Sequence, residues 1–487
     1  MMNIHMFISI IVAVFSAFLA VKWIYFKILF IAFDKKLVDN PDARKLQKTP
    51  VPVMGGFAAF FGILVGIFSS LISYGITSYI SISSLLPLVC AMSIMLYVGA
   101  MDDIMGLTPK ARILIEIFAI CGIILSSDTC INNFWGLWGV YEFSLWIAIP
   151  LTVFAGVGII NAINMIDGVN GLSSGLCIVY CLFFGVAFLK EGDLSNATLA
   201  FTTVGALMPF YIHNVFGFKS RMFIGDAGTM VIGLLLTWFT INLINSNTAA
   251  LYLSNTHNVN VIALTLAVLS VPVFDTLRVM AMRIAKKKSP FHPDKTHLHH
   301  VFVNVGVSHF ITSVSEICID VVVVLFWVAS VVLNCSIEAQ LYVVILASMI
   351  FVWGTYFILR YNAIHHTKFL HFITAFSVKT HLGRKDWWKK ITDFLDAPGW
   401  SMYDVSYSSK KRVEIGSTKE LDRKRVLDFM SGRAEVMVQD ILDNSGANKE
   451  NVIRILLDEI DNGVIEVTRR SELGIPDIVA FVNKPSN

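Results

Sequence analysis

Charge is what this sequence has least of. Asp, Glu, Lys and Arg make up 15% of its 487 residues, against about 25% in a soluble domain. Four stretches, 49–101, 143–166, 168–189 and 227–274, contain none of them. Crossing a bilayer takes about 20 apolar residues, so these stretches have room for one or two helices each. A soluble globular protein is excluded and a polytopic membrane protein is indicated. Cys-x-x-Cys pairs are also missing. The seven cysteines are scattered and imply no disulfide framework. Cys177 and Cys181 share a helical face inside an apolar run and read as packing residues. No Lys or Arg precedes the first apolar run; Lys22, Lys27, Lys35 and Lys36 come within or after it. That pattern argues against a cleavable signal and for an uncleaved first helix with its N-terminus outside.

Hydropathy predicts about eleven spans. They fall in 4–26, two in 49–101 around a Ser/Tyr/Thr-rich break at 73–84, then 111–127, 143–163, 172–189 and 195–213. The eighth and ninth share 227–282 around a polar break near 245–260, and the last two are 311–333 and 339–359. Alternating the loops sorts the basic residues. One side receives Lys35, Lys36, Arg44, Lys45, Lys48, Lys110, Arg112, Lys219, Arg221, Arg283, Lys286, Lys287, Lys288 and Lys295; the other receives Lys190. The positive-inside rule makes the first side cytoplasmic and puts the chain from Arg360 onward there too.

The polar residues that remain fall on that same side. The stretch from Asn161 to Leu172 carries Asn161, Asn164, Asp167 and Asn170 at a spacing of three, with Gly168 and Gly171 between them. This spacing keeps Asn161, Asn164 and Asp167 on one helical face. Polar groups at membrane depth are costly and mark functional sites. Asp102-Asp103 ends another uncharged run. Adjacent carboxylates repel, so a proton, a divalent cation or a base such as Lys110 must neutralise them. Asp226 stands between Gly225 and Gly228 at the start of the eighth span, where backbone N–H groups can approach an anion. Mg²⁺ binds through a few carboxylates plus substrate phosphates, which suits such an Asp. His292, Asp294, His297, His299 and His300 follow the basic run Lys286–Lys288. With no Cys among them, phosphate binding fits better than zinc. Acids gathered at helix ends favour an enzyme; a transporter places its ionisable groups mid-span, near broken helices.

At these residues the chain resembles the polyprenyl-phosphate N-acetylhexosamine-1-phosphate transferases, which start bacterial cell-surface glycan assembly. The likeness covers roughly residues 40–305. It runs from Asp42-x-Arg44 and Pro50-x-Pro52-x-x-Gly55-Gly56 through Asp102-Asp103 and Asn161-x-x-Asn164-x-x-Asp167-Gly168. It continues with Asn214, Phe223-x-Gly225-Asp226-x-Gly228 and Pro290-Phe-x-x-Asp294-x-x-His297-x-His299-His300. The His-x-His-His form is similar to the branch that uses UDP-GlcNAc rather than UDP-MurNAc-pentapeptide. Gln47, Asn170 and Thr229 depart from the usual His, Asp and Ser.

The resemblance implies transfer of a sugar-1-phosphate from a UDP-N-acetylhexosamine to undecaprenyl phosphate, with release of UMP. Mg²⁺ is the expected cofactor, with Mn²⁺ as a substitute. It implies that Asp226 and Asp167 hold the metal and that Asp102, Asp103 and Asp167 serve the chemistry. Phe223 would stack on uracil. Asn161, Asn164, Asn170 and Asn214, with His297, His299 and His300, would bind substrate. For Asn170, side-chain chemistry suggests a role in reading the uracil edge, because a carboxamide can both accept from it and donate to it. Membrane lipids surround such an enzyme in the bacterial inner membrane, and a homodimer is allowed for. The muramoyl-peptide branch and a transporter are the alternatives.

The expected architecture is an all-α transmembrane domain over 1–360, a basic and aromatic interfacial linker over 361–415, and a cytoplasmic winged-helix-like α+β domain over 416–487. A membrane-tethered DNA-binding regulator would rest on that last unit alone. Its expected second helix carries Glu450, Asp458 and Glu459 beside Lys449 and Arg454, which is poor for phosphate contact. A regulatory protein partner fits it better.

Overall fold

The computed structural model describes residues 4–39, 51–74, 82–246, 259–290, 296–365, 368, 373, 385–403, 422–431, 435–444, 452, 455, 456, 459, 465–470 and 476–481. Asp42, Arg44, Gln47, Pro50, His292 and Asp294 lie outside them. The chain forms two compact units, Met1–Gly399 and Trp400–Asn487.

The first unit is helical and multi-pass. Helix α1 (Ile4–Asp34) is followed by two short antiparallel strands, β1 (Val38–Asp39) and β2 (Val51–Pro52). Then come α2 (Gly55–Tyr74), α3 (Ile82–Met105), α4 (Pro109–Ser127), α5 (Leu145–Met165), α6 (Leu172–Glu191), α7 (Leu194–Phe216) and α8 (Gly225–Asn245). A bent pair, α9 (Val261–Val268) and α10 (Ser270–Ala285), precedes the short α11 (Leu298–Asn304) and the long α12 (His309–Val332). Helix α13 (Ile337–Ser348) passes through a π-helical turn at Met349–Trp353 into α14 (Gly354–His365), and α15 (Asp386–Tyr403) closes the series. Among the described residues nine helices are long and apolar enough to span a membrane, and the bent pair makes a tenth. Helix α4 is not one of them. It carries Lys110, Arg112 and Glu116 in its first two turns.

Local chemistry sets the boundaries. Thr108 caps α4 by accepting from the Ala111 N–H, with Pro109 at the first helical position, where its missing N–H costs nothing. Asp193 caps α7 in the same way through Asn196. Helix α1 runs on past residue 26, where hydropathy ends the first span, to Asp34. The Lys27 ammonium lies 3.2 Å from the Trp23 ring centroid, so the helix continues while the charge leans along an aromatic face.

Helix α8 is the axis of the unit and is buried almost throughout, with α2, α3 and α5 packed against it. Small residues make this packing possible. A Cβ on Gly99 of α3 would sit 2.5 Å from the Ala227 Cα, so the two backbones approach as only glycine permits.

The bend between α9 and α10 is 77° and has a side chain holding it. Asp320 of α12 accepts from the Ser270 hydroxyl at 2.5 Å, the Val271 N–H at 2.8 Å and the Tyr180 hydroxyl at 2.6 Å. A break inside the membrane frees backbone N–H groups that must find partners, and Asp320 caps the second half-helix. The expectation that acids sit at helix ends therefore needs correction: Asp320 and Glu316 are both buried within α12.

The second unit has strands β3 (Val436–Met437), β4 (Ile465–Arg470) and β5 (Pro476–Phe481), ordered β3-β5-β4 and antiparallel. Helix α16 (Val438–Asn444) follows β3, and residues 422–430 are helical. Val426, Met430, Ile441, Leu456, Ile465 and Val479 build its own small core.

Candidate active site

The last turn of α3, the first turn of α11 and the segments that follow α1, α5 and α7 meet at one cavity of about 410 Å³. Asp39, Asp102, Asp103, Asp167 and Asp226 line it, with Phe223, His299 and His300. Six of these residues, Asp102, Asp103, Asp167, Asp226, His299 and His300, come from four motifs spread over 199 positions of chain, so the fold gathers what the sequence keeps apart.

The two neighbouring acids have different partners. Asp103 caps α8: its Oδ1 accepts from the Asp226 N–H at 2.9 Å and its Oδ2 from the Ala227 N–H at 3.2 Å. A carboxylate at a helix N-terminus is favoured by the dipole, and this one locks the backbone that presents Asp226. Asp102 accepts from the Leu107 N–H at 2.6 Å and from Arg112 Nη1 at 3.4 Å. Arg112 also donates to Glu116 at 3.1 Å. Glu116, fully buried, accepts in turn from Asn161 at 2.5 Å. The base that answers Asp102 is thus Arg112, not Lys110, which is exposed. A lysine beside a threonine cap projects outward, while position 112 turns inward. Arg112 and Glu116 were legible only as a helical i,i+4 pair, and Asp39 was not singled out at all.

Asn164 donates to Asp226 and, at 2.8 Å, to Thr229 Oγ1. Asn161 and Asn164 therefore brace acids and do not line the cavity. Asp167 lines it and accepts from Ser173 at 2.6 Å. Burial pushes the Asp167 carboxyl up to about 7; the Ser173 hydroxyl offsets part of this and Asp226 adds to it.

The histidines also divide. His297 Nδ1–H donates to the Asp275 carboxylate at 2.8 Å, which as an ionised group can only accept. Asp275 is held by Arg278 Nη2 at 2.6 Å, and Arg278 stacks 3.5 Å from the Tyr356 ring centroid. His297 is thus a tether at the start of α11, while His299 and His300 reach the cavity. Burial and the neighbouring His300 and His297 hold His299 well below the usual histidine range, so it is neutral near pH 7. Its buried Nδ1 has no partner.

Two expected substrate ligands lie elsewhere. Asn214 is buried, accepts from the Gly171 N–H at 2.5 Å and donates to the Met222 carbonyl at 2.8 Å. It staples two site loops together. Asn170 lines a second cavity of about 480 Å³ with Arg221, His309 and Trp388, and its N–H donates to His309 Nδ1 at 3.3 Å. Phe223 and Asn170 do not share a cavity, so the pairing of both on one uracil finds no support in this arrangement.

Among the described residues no three His, Cys, Asp or Glu side chains form a closed metal-binding set. The acids nevertheless suit Mg²⁺, which takes one or two carboxylates and leaves the other positions to water and phosphate. Asp102, Asp103, Asp167 and Asp226 line one cavity, and carboxylates gathered in this way call for a proton or a cation among them.

A helical, multi-pass membrane protein with an acid-rich pocket at its helix ends defines the class. Residues 85–244 match the model of glycosyl transferase family 4. A protein of Escherichia coli (strain K12) named undecaprenyl-phosphate alpha-N-acetylglucosaminyl 1-phosphate transferase is 30% identical over 292 residues, 58% of this chain and 74% of its own. The protein of the same name from Salmonella typhi is 28% identical over 279 residues, 57% of this chain and 71% of its own. A Bacillus subtilis (strain 168) protein named probable undecaprenyl-phosphate N-acetylglucosaminyl 1-phosphate transferase is 30% identical over 328 residues, 67% of this chain and 86% of its own. The chain belongs to glycosyl transferase family 4.

Proposed function

We propose that this chain transfers GlcNAc-1-phosphate from UDP-GlcNAc to undecaprenyl phosphate and releases UMP, as the first membrane step of a cell-surface polysaccharide. The names of its relatives support the reaction. The observation that carries the assignment to a site is the cavity where Asp102, Asp103, Asp167 and Asp226 face His299, His300 and Phe223.

An oxygen of the lipid phosphate attacks the β-phosphorus of the nucleotide sugar. A new P–O bond forms, the bond from that phosphorus to the α–β bridging oxygen breaks, and UMP leaves with the electron pair. Asp226 and Asp167 would hold Mg²⁺, which when bound neutralises diphosphate charge and favours the leaving phosphate. Asp103 keeps the α8 N-terminus, and with it Asp226, in place. Asp102, balanced by Arg112, faces the cavity on the side of α3 and is the acid we assign to the lipid phosphate. His299, neutral, and His300 offer N–H groups to phosphate oxygens. Phe223 gives a flat apolar face for the base. Cytoplasmic orientation in the inner membrane follows from the sorting of basic loops. Counting α4 with the ten candidate spans would make eleven, and the second unit serves as a winged-helix-like module for a protein partner.

The test is Asp226→Asn in purified protein, measured as UMP release with UDP-GlcNAc. Loss of turnover with normal membrane insertion is expected. Near-normal rates at ordinary Mg²⁺ would remove Asp226 from the site.

A further inference from the structure

Helix α15 lies far outside residues 85–244, yet it grips the loop that leads into the candidate site. Trp388, Thr392 and Asp396, spaced by four, form one face of it. Thr392 Oγ1 donates to the Phe216 carbonyl at 2.7 Å. Trp388 packs on Phe216 and Phe310, with ring centroids 4.5 and 5.6 Å apart. Asp396 is 7% exposed. Its oxygens accept from the N–H groups of Lys219 and Ser220, each at 2.9 Å, from Phe218 at 3.3 Å, and from the Ser220 hydroxyl at 2.7 Å. A second stripe, Trp387, Ile391 and Phe394, is exposed, as expected of a helix lying against a bilayer surface.

The loop between α7 and α8 has no regular backbone pairing of its own, and buried N–H groups must be answered somewhere. Three consecutive N–H groups around one carboxylate make a nest for an anion, and such charge-assisted bonds are the stronger kind. Further along, the Tyr25 hydroxyl donates to the Ser220 carbonyl, Asn214 donates to the Met222 carbonyl, and the Phe223 N–H donates to the Pro52 carbonyl. Asp396 fixes the first residues of this chain of contacts, and Phe223 and Asp226 are its end.

We infer that Asp396 is a positioning residue for the donor site, acting on Phe223 and Asp226 through residues 218–222, so that catalysis requires α15 to be docked. The inference rests on the donor-site role given above to Phe223 and Asp226. Full-length Asp396→Ala should raise KM for UDP-GlcNAc about tenfold, the loss of one or two charge-assisted bonds, and leave KM for undecaprenyl phosphate within about twofold. Asp396→Asn, which keeps one acceptor oxygen, should fall between. Equal changes in both KM values, or none, would overturn the inference. A second measurement needs no activity: trypsin cleavage after Lys219 and Arg221 of the solubilised full-length protein. Asp396→Ala should be cut several-fold faster there than the parent, and equal rates would overturn docking. A parent chain without transferase activity would sink the donor assignment, and the trypsin comparison would still judge the docking.

Discussion

Replacing Arg112 by Met removes the cation that pairs with both Asp102 and Glu116. Arg112 lies 3.4 Å from Asp102 and 3.1 Å from Glu116, whose side chains are 11% and 0% exposed. At an effective dielectric of about 20, each contact is worth roughly 5 kcal/mol of gross attraction. The net loss is smaller, because a stranded carboxylate can bind a proton instead of remaining charged. For a glutamate of ordinary pKa about 4.3, protonation at pH 7 costs roughly 3.7 kcal/mol. That figure caps the Glu116 penalty and agrees with the 3–5 kcal/mol typical of breaking a buried pair. The sign with pH follows. In the variant, folded protein binds a proton that the unfolded chain releases, so its stability deficit grows as pH rises. Between pH 6 and pH 8 the deficit should widen by about 2–3 kcal/mol. Denaturant unfolding in detergent, compared with the parent at both pH values, measures it. The double variant Arg112→Met/Glu116→Gln should recover most of the loss, because the amide can still accept from Asn161. A deficit under about 1 kcal/mol, or one that does not change with pH, would refute the reasoning.

Three further outcomes follow from the same structure. Asp226→Asn should lower turnover by at least about a hundredfold while the protein still inserts, since an uncharged amide cannot supply the site's electrostatics; unchanged turnover would contradict this. Deleting the chain from Gly416 onward should leave catalysis intact, because it spares α15 and every site residue; an inactive but inserted truncation would show that the second unit builds part of the site. Reporter insertions at Asn334 and at the C-terminus should report opposite sides of the membrane, and the same side for both would remove a span from the count.

Much of the transmembrane unit was legible because membrane helices announce themselves locally. Charge-free runs, Thr108-Pro109 before α4 and Asp193 before α7 each act within a few residues. The cavity acids Asp102, Asp103, Asp167 and Asp226 were legible because few other carboxylates interrupt the apolar chain. Non-local partners were not. The bend at Leu269 sits inside an uncharged stretch and exists because Asp320, 50 residues on, answers the freed Ser270 and Val271 groups. The role of Asp396 depends on N–H groups some 176 residues earlier. Asn161 and Asn164 stood out in the sequence as polar residues in apolar surroundings, and Asn214 through the family resemblance. Spacing alone could not say that they brace acids and loops rather than face the cavity.

The central claim, that this acidic cavity performs sugar-1-phosphate transfer, is tested most directly by one assay. Membranes containing the chain are incubated with Mg²⁺, undecaprenyl phosphate and UDP-GlcNAc labelled in the sugar. The account predicts labelled lipid and one UMP per sugar transferred, both abolished by Asp226→Asn. Sugar nucleotide crossing the membrane intact, with no labelled lipid and no UMP, would contradict it.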